Sequence, residues 1–310
     1  MRIGIVTFWQ SDDNYGQQLQ CWALQCYLKR LGHEPFLIRY LYKESVWRKW
    51  LKIMVKTAFI YPLLGWWRHR DIRCMEAVNR VKNEVRSFEE FRNKHIDQSR
   101  RIYGTLTELR QDPPAADVYI AGSDQIWNPM LLRRKDGRAF WLDFGEDRVR
   151  RVAYAASYGV DKCPPGLQKE LSRRLYRFDA LSVREESGVS ICRASGKEAT
   201  HVLDPTLLLS MDDYLSLLED IPVRPSPYIY IYSINISSKE DIRWSELRGF
   251  SKIGGLSLVV TPASGYLPGR ELFEGVEYSY AAIPEGLSLI RHAGLVVTTS
   301  FHGVVFCILF

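Results

Sequence analysis

The sequence contains no run of about 18 uncharged apolar residues, so nothing in it has the length of a membrane-spanning helix. Its six cysteines (Cys21, Cys26, Cys74, Cys163, Cys192 and Cys307) never fall as C-x-x-C, and neither a disulfide framework nor a zinc site can be read from them. The G-x-G-x-x-G dinucleotide fingerprint is missing, as are H-E-x-x-H, G-x-S-x-G and the Walker A loop. Zinc proteolysis, esterase chemistry and P-loop nucleotide hydrolysis therefore lack support. Internal repeats and low-complexity tracts are absent as well. The first residues, MRIGIVTFW, show no basic region followed by a long apolar core, so no secretory signal is read. With the scattered thiols, this predicts a reducing, cytoplasmic setting.

What is present is an ordinary globular mixture: 310 residues, 46% hydrophobic and 25% charged. Such a length suggests two domains of roughly 150 residues each, with about three quarters of the unfolded surface available for burial. The net charge of +6 is unevenly spread, because residues 43–110 hold 16 Lys or Arg against 8 Asp or Glu. This reads as a basic helical insertion. Within it, 46–67 (VWRKWLKIMVKTAFIYPLLGWW) places Trp47, Trp50, Trp66 and Trp67 around apolar residues, with Arg48, Lys49, Lys52 and Lys56 between. Tryptophan and basic side chains suit the headgroup boundary of an anionic membrane, which predicts peripheral attachment at the inner face of the plasma membrane. The longest uncharged stretch there, Thr57 to Trp67, has 11 residues, too few to span. No nucleic-acid motif accompanies the charge, so no nucleic acid is expected as a partner.

Hydrophobic patterning predicts strands at Arg2–Phe8, Glu34–Tyr40, Asp117–Ala121, Arg151–Ser157, Ala180–Val183 and His201–Asp204. Helices are predicted over Gln17–Leu31, stopped by Gly32, and over Gly166–Arg177. A β-α-β unit in the first 40 residues argues for a parallel, Rossmann-like sheet. Three prolines in IPVRPSP mark a domain entry near 221, giving domains 1–220 and 221–310. Strands at Tyr228–Ser233, Leu256–Thr261 and Leu295–Thr298 form the second α/β unit. The chain ends inside SFHGVVFCILF, an apolar helix with neither cap nor closing strand, so the second domain is expected to be incomplete at its C-terminus.

Ligands of open α/β sheets sit beyond the carboxyl ends of the strands, and the loops there carry the candidate residues. Asn14, Gly16 and Gln17 stand where a backbone approaches an anion or sugar hydroxyl at a helix start; a plain capped turn explains them equally well. Ser123, Asp124, Gln125, Trp127 and Asn128 gather a hydroxyl, a carboxylate, amides and an indole, the groups that recognise sugars. Arg184, between a strand and a helix, suits a carboxylate or phosphate; its competitor is an ion pair with Glu185 or Glu186. Asp204 in LDPT reads as a structural cap. Thr298, Thr299, Ser300, His302 and Gly303 combine hydroxyls, a glycine and an imidazole at a strand–helix junction suited to phosphate, and His302 is the side chain there able to exchange a proton. Arg291 and its neighbour His292 are read as facing the same region. No histidine has metal-ligand spacing, so no metal is indicated.

The segments TFWQSDDNYGQQLQCWALQCYLKRLGHEPFLI, AGSDQIWNP, SVREESG, LDPTLLL and TTSFHG occur in that order, and together they resemble the polysaccharide pyruvyl transferase family. The resemblance runs from the first strand to the last residue and is weakest over 43–110. It implies two Rossmann-like domains facing across a cleft, as in glycosyltransferase-B enzymes. It also implies transfer of the enolpyruvyl unit of phosphoenolpyruvate to a sugar diol of a bacterial polysaccharide or its lipid-linked precursor, giving a pyruvate ketal and phosphate. Phosphoenolpyruvate is a substrate and no cofactor is implied. That chemistry needs a general acid for the donor's methylene carbon, for which His302 is the candidate, and a base for the acceptor hydroxyl, for which Asp124 is the candidate. Asn14, Gln125, Trp127 and Asn128 would hold the acceptor. The sequence departs from better-known members at Ser300, where they carry an arginine two positions before the histidine; Arg184 or Arg291 would then supply the anion clamp. Two other readings stand beside this one: a nucleotide-sugar glycosyltransferase of the same architecture, and a non-catalytic glycan-binding relative.

Overall fold

The β-branched run Arg2–Val6 forms strand β1 in the interior of a seven-stranded, wholly parallel sheet. Its partners are β2 (Glu34–Tyr40), β3 (Gln98–Tyr103), β4 (Val118–Ala121), β5 (Arg150–Ala156), β6 (Ala180–Val183) and β7 (Thr200–His201), in the order β3-β2-β1-β4-β5-β6-β7. A second parallel sheet orders β8 (Tyr228–Ser233), β9 (Ser257–Pro262), β10 (Glu277–Tyr278) and β11 (Leu295–Thr298) as β10-β9-β8-β11. The computed structural model describes residues 1–42, 84–224, 227–234, 236, 238–263 and 273–310. The segment 46–67, expected at a membrane surface, lies outside them. Among the described residues no helix is long and apolar enough to cross a membrane.

The two sheets and their intervening helices bear out the α/β, Rossmann-like class. Alternate residues of the central strands point to opposite faces, and both faces are buried, as parallel strands require. Ile3, Ile5, Val118 and Ile120 meet Leu24 of helix α1 (Tyr15–Arg30) on one face. Ile38, Tyr40, Tyr119, Ala121 and Val183 enter the larger core on the other. In the second sheet Ile229, Ile231, Leu258 and Val260 pack with Trp244 and Phe273, and all six residues of β8 are buried.

Two expectations change. The basic segment is not helical throughout, since Gln98–Tyr103 joins β2 as an edge strand. There the Arg39 amide donates to Ser99 Oγ at 3.0 Å and the guanidinium to the Ser99 and Arg100 carbonyls. Three consecutive exposed residues hid this strand from the hydrophobic pattern. Nor does the chain divide at 220 and 221. Of the described residues, the first compact unit comprises Met1–Ser11, 17–42 and Arg92–Leu209, and the second comprises Asp12–Gly16, 84–91 and Ser210–Phe310. The boundary moves back because fully buried Tyr214 sets its ring against Phe306, at 5.2 Å and nearly perpendicular.

Candidate functional site

Both sheets reverse their strand order beside a central strand, and a hydroxyl ties each reversal. In the first unit Thr7, following β1, donates its hydroxyl to the Ser123 carbonyl, following β4, at 2.7 Å. In the second, the Thr299 hydroxyl accepts from Ile234 N–H at 2.9 Å and donates to the Ile234 carbonyl at 2.8 Å. These are the switch points beyond which ligands of doubly wound sheets bind.

At the first switch point, Ser123 Oγ donates to Asp204 Oδ2 at 2.7 Å, and Arg184 Nη1 reaches the same oxygen at 3.1 Å. Asp204 Oδ1 accepts from the Thr206 amide and hydroxyl at 3.0 and 2.7 Å. The Asp204 side chain is 0% exposed and that of Arg184 is 8% exposed, so each charge depends on the other. Arg184 Nε also donates to Glu185 Oε1 at 3.0 Å. Burial opposes the Arg184 charge, but Asp204, Asp124 and Glu185 outweigh it and hold the guanidinium above its ordinary range. Arg184 is therefore more than a surface partner of Glu185, and Asp204 is both a cap and a buried counter-ion.

Asp124 is half-buried beside this network with φ 79°, a left-handed backbone costly for a non-glycine residue. Its carbonyl accepts the Ile126 and Ser157 amides at 2.7 and 3.0 Å, and its Oδ1 accepts the Gln125 amide at 2.8 Å. Nearby Ala155 is also left-handed, where β5 slips register against β6. Gln125 is exposed and lies over Gly159, where a Cβ would stand 2.6 Å from its amide carbon.

One expected acceptor contact is corrected, and a second already has a structural use. Trp127 is 0% exposed, stacks on Trp141 with ring centroids 4.6 Å apart, and donates its indole N–H to the Phe140 carbonyl at 3.1 Å. It is a core residue, and no sugar platform remains on either face. Asn128 caps the short helix Pro129–Leu132, its Oδ1 accepting the Met130 amide at 3.0 Å. Asn128→Ala should cost about 1 kcal/mol of stability, measured by urea denaturation; an unchanged midpoint would return Asn128 to the list of ligand contacts.

In the second unit the imidazole of His302 packs directly on the backbone of Gly16. A Cβ at Gly16 would stand 2.1 Å from His302 Nδ1 and 2.4 Å from Cγ, so no other residue leaves room for the ring in this position. His302 is 7% exposed and sits in the first turn of helix α3 (Phe301–Leu309), which follows helix α2 (Ile283–Arg291) and β11. Ser300 caps α3, accepting the Gly303 amide at 3.3 Å, and Thr298 Oγ1 accepts the Ser300 amide at 3.0 Å. Gly303 is required as well, because a Cβ there would stand 2.2 Å from Thr298 Oγ1. The hydroxyls expected to bind phosphate thus already make internal bonds. Asn14 and Gln17, both half-buried, flank Tyr15 and Gly16 at the start of α1. Arg291, at the end of α2, lies over the Phe310 ring at 6.0 Å with Nη1 buried and unpartnered.

Several residues of these sites were not singled out in the sequence. Gln20 is fully buried and donates to Thr7 Oγ1 at 2.9 Å, while Gln18 donates to the Trp9 and Ser11 carbonyls at 2.7 and 3.0 Å. Glutamines crowded onto an otherwise apolar helix were the available signal. Tyr15 donates to the Ala281 carbonyl at 2.5 Å and meets Tyr232 edge-on at 5.4 Å. Burial pushes both phenols well above their ordinary range; nearby Arg86 pulls each back. Among the described residues, no group of three or more His, Cys, Asp or Glu is placed to hold a metal ion.

A family profile described as polysaccharide pyruvyl transferase matches residues 14–310, nearly the whole chain. No curated protein matched. Among solved structures, the chain is similar to UDP-GlcNAc 2-epimerase from Neisseria meningitidis bound to UDP-GlcNAc, at 9% identity and TM-score 0.46, covering 97% of this chain and 78% of that one. It is also similar to an alpha-glucosyltransferase in complex with UDP and a 13-mer DNA, at 10% identity and TM-score 0.48, covering 96% and 71%.

Proposed function

The chain belongs to the polysaccharide pyruvyl transferase family, and from that membership we propose that it moves the enolpyruvyl unit of phosphoenolpyruvate onto two hydroxyls of a sugar. The acceptor is a bacterial polysaccharide or its lipid-linked precursor, and the products are a pyruvate ketal and phosphate. The donor's methylene carbon takes up a proton, which makes C2 electrophilic. One hydroxyl oxygen bonds to C2 and sheds its proton. The second hydroxyl then forms its bond to C2 as the bond from C2 to the phosphate oxygen breaks. Two hydroxyl protons are released and one proton is taken up, so one leaves with phosphate or to water.

His302 is assigned the acid that delivers the proton to the methylene carbon, and Asp124 the base for an acceptor hydroxyl. The observation behind this reading is the seating of His302 on Gly16, because a proton donor is effective only when its ring is held in one orientation. Arg184 is assigned a share in binding the donor, although Asp204 and Glu185 already engage it.

Thermal unfolding with phosphoenolpyruvate, beside UDP- and GDP-sugars, tests the donor. A ligand at about 100 times its dissociation constant adds ~2.7 kcal/mol to the folded state, and a rise of a few degrees in Tm is expected with phosphoenolpyruvate alone. Stabilisation by a nucleotide sugar instead would turn the assignment to glycosyl transfer. No response to any of them would point to a glycan-binding relative without catalysis.

A further inference from the structure

Among the described residues most buried arginines are matched to identifiable partners; Arg86 is the most buried one that is not, and half-buried Arg291 also keeps an unpartnered Nη1. Arg151, 5% exposed, donates to the carbonyls of Leu142, Phe144, Gly145, Glu146 and Val149. Arg174, also 5% exposed, pairs with Glu170 and Asp143, and Arg184 pairs with Asp204 and Glu185. Arg92 donates to the Trp9 and Ser11 carbonyls. Arg86 is the most buried arginine among the described residues, at 3% exposure, yet its one hydrogen bond to them runs from Nη2 to the Pro262 carbonyl at the end of β9. Its guanidinium lies over the Tyr280 ring at 5.2 Å, its Nε is buried without a partner, and no carboxylate among the described residues forms an ion pair with it. Asp13 and Glu285 act on the same phenols as Arg86, but no ion pair joins either of them to it among the described residues, so the guanidinium keeps a donor for an anion from outside.

Its position fits that use. Arg86 ends the helical residues 84–86, immediately before left-handed Ser87. Phe88 then packs edge-on to Tyr15 at 4.9 Å, which anchors the segment in the second unit. The Arg86 charge acts on the phenols of Tyr15, Tyr230 and Tyr232, whose strand, β8, ends at the carboxyl edge together with β9. Ser233, the last residue of β8, has a buried hydroxyl that also lacks a partner. A guanidinium with its Nε unpartnered and a spare hydroxyl therefore belong to the strand ends beyond which ligands of parallel sheets bind.

We infer that Arg86 is a substrate-binding residue that takes an oxyanion, carboxylate or phosphate, at the carboxyl ends of β8 and β9. Its identification as a donor contact rests on the pyruvyl-transfer reading; its identification as an anion site does not. The basic segment 43–110 thus contributes a specific binding group in addition to general charge.

The test compares wild type and Arg86→Met by thermal unfolding, with phosphoenolpyruvate, inorganic phosphate and pyruvate as probes. Without ligand, the variant should melt within a few degrees of wild type or above it, since an unpaired buried charge has been removed. The Tm rise with phosphoenolpyruvate should vanish. Loss of the phosphate response assigns the phosphoryl group to Arg86, and loss of the pyruvate response assigns the carboxylate. If phosphoenolpyruvate fails on wild type but phosphate or pyruvate stabilises it through Arg86, the donor reading falls and the anion site stands. Equal shifts in wild type and variant overturn the inference, and so does a wild type that answers none of the probes. Should the Met variant fail to fold, Arg86→Lys keeps the charge without the planar fork; it must bind phosphoenolpyruvate at least about tenfold more weakly, and unchanged affinity overturns the inference.

Discussion

His302→Ala is expected to keep phosphoenolpyruvate affinity within a few fold while lowering ketal formation by about 10²–10⁴-fold, the usual contribution of one positioned acid. The split follows from the role assigned: a proton donor acts in the transition state, so its loss falls on kcat and leaves ground-state binding largely intact. Gly16→Ala is the companion test, and it leaves the histidine in the chain. The new Cβ would stand 2.1 Å from Nδ1, so the ring has to move. Because Gly16 lies in the first turn of α1 against a buried ring, overpacking should also cost about 1–3 kcal/mol of stability. Turnover should therefore collapse at a temperature where the variant is still fully folded, as checked by its melting curve. Normal turnover in His302→Ala excludes it as the acid; normal turnover in Gly16→Ala alone shows that the orientation seen here is not the one used.

Asp204→Ala should produce the largest loss of stability, about 3–5 kcal/mol, since removing one member of a buried ion pair strands the other. Arg184 would lose the oxygen 3.1 Å from Nη1, Ser123 Oγ its acceptor, and Thr206 both its amide and hydroxyl contacts. Urea denaturation of the single and double variants measures this. Arg184→Met should cost less, and adding it to Asp204→Ala should recover part of the loss, because the stranded charge is then gone. A drop of less than 1 kcal/mol for Asp204→Ala would mean that Arg184 is balanced by another group. The same set separates two uses of Arg184: weakened phosphoenolpyruvate binding in a stable Arg184→Met protein assigns it to the donor as well as to the fold.

Local pattern was enough for most of the scaffold. Glu34–Tyr40, Ala180–Val183, Tyr228–Ser233 and Leu295–Thr298 appear where the β-rich runs placed them, and α1 lies within two residues of its expected start. Such runs are legible because a parallel strand buried on both faces needs apolar residues at nearly every position. The edge strand β3 escaped for the opposite reason, since three of its six residues are exposed and its pairing depends on Arg39, some 60 residues earlier.

The candidate loops were also legible, because glycines, amides and a histidine after strands mark where a sheet opens to ligands. Which of their side chains are available was not. Trp127 and Gln125 stand two positions apart, and only the stacking of Trp141 on one of them sends the indole into the core while the amide stays exposed. Arg184 meets Asp204 across 20 residues, Gly16 meets His302 across most of the chain, and Arg86 has no sequence neighbour that reveals its missing counter-ion. Residue order determined the strands, the helices and the places where chemistry gathers. Tertiary packing alone decided which polar groups are consumed by the fold and which remain for a ligand, because burial and partnership are set by residues that lie far apart in the chain.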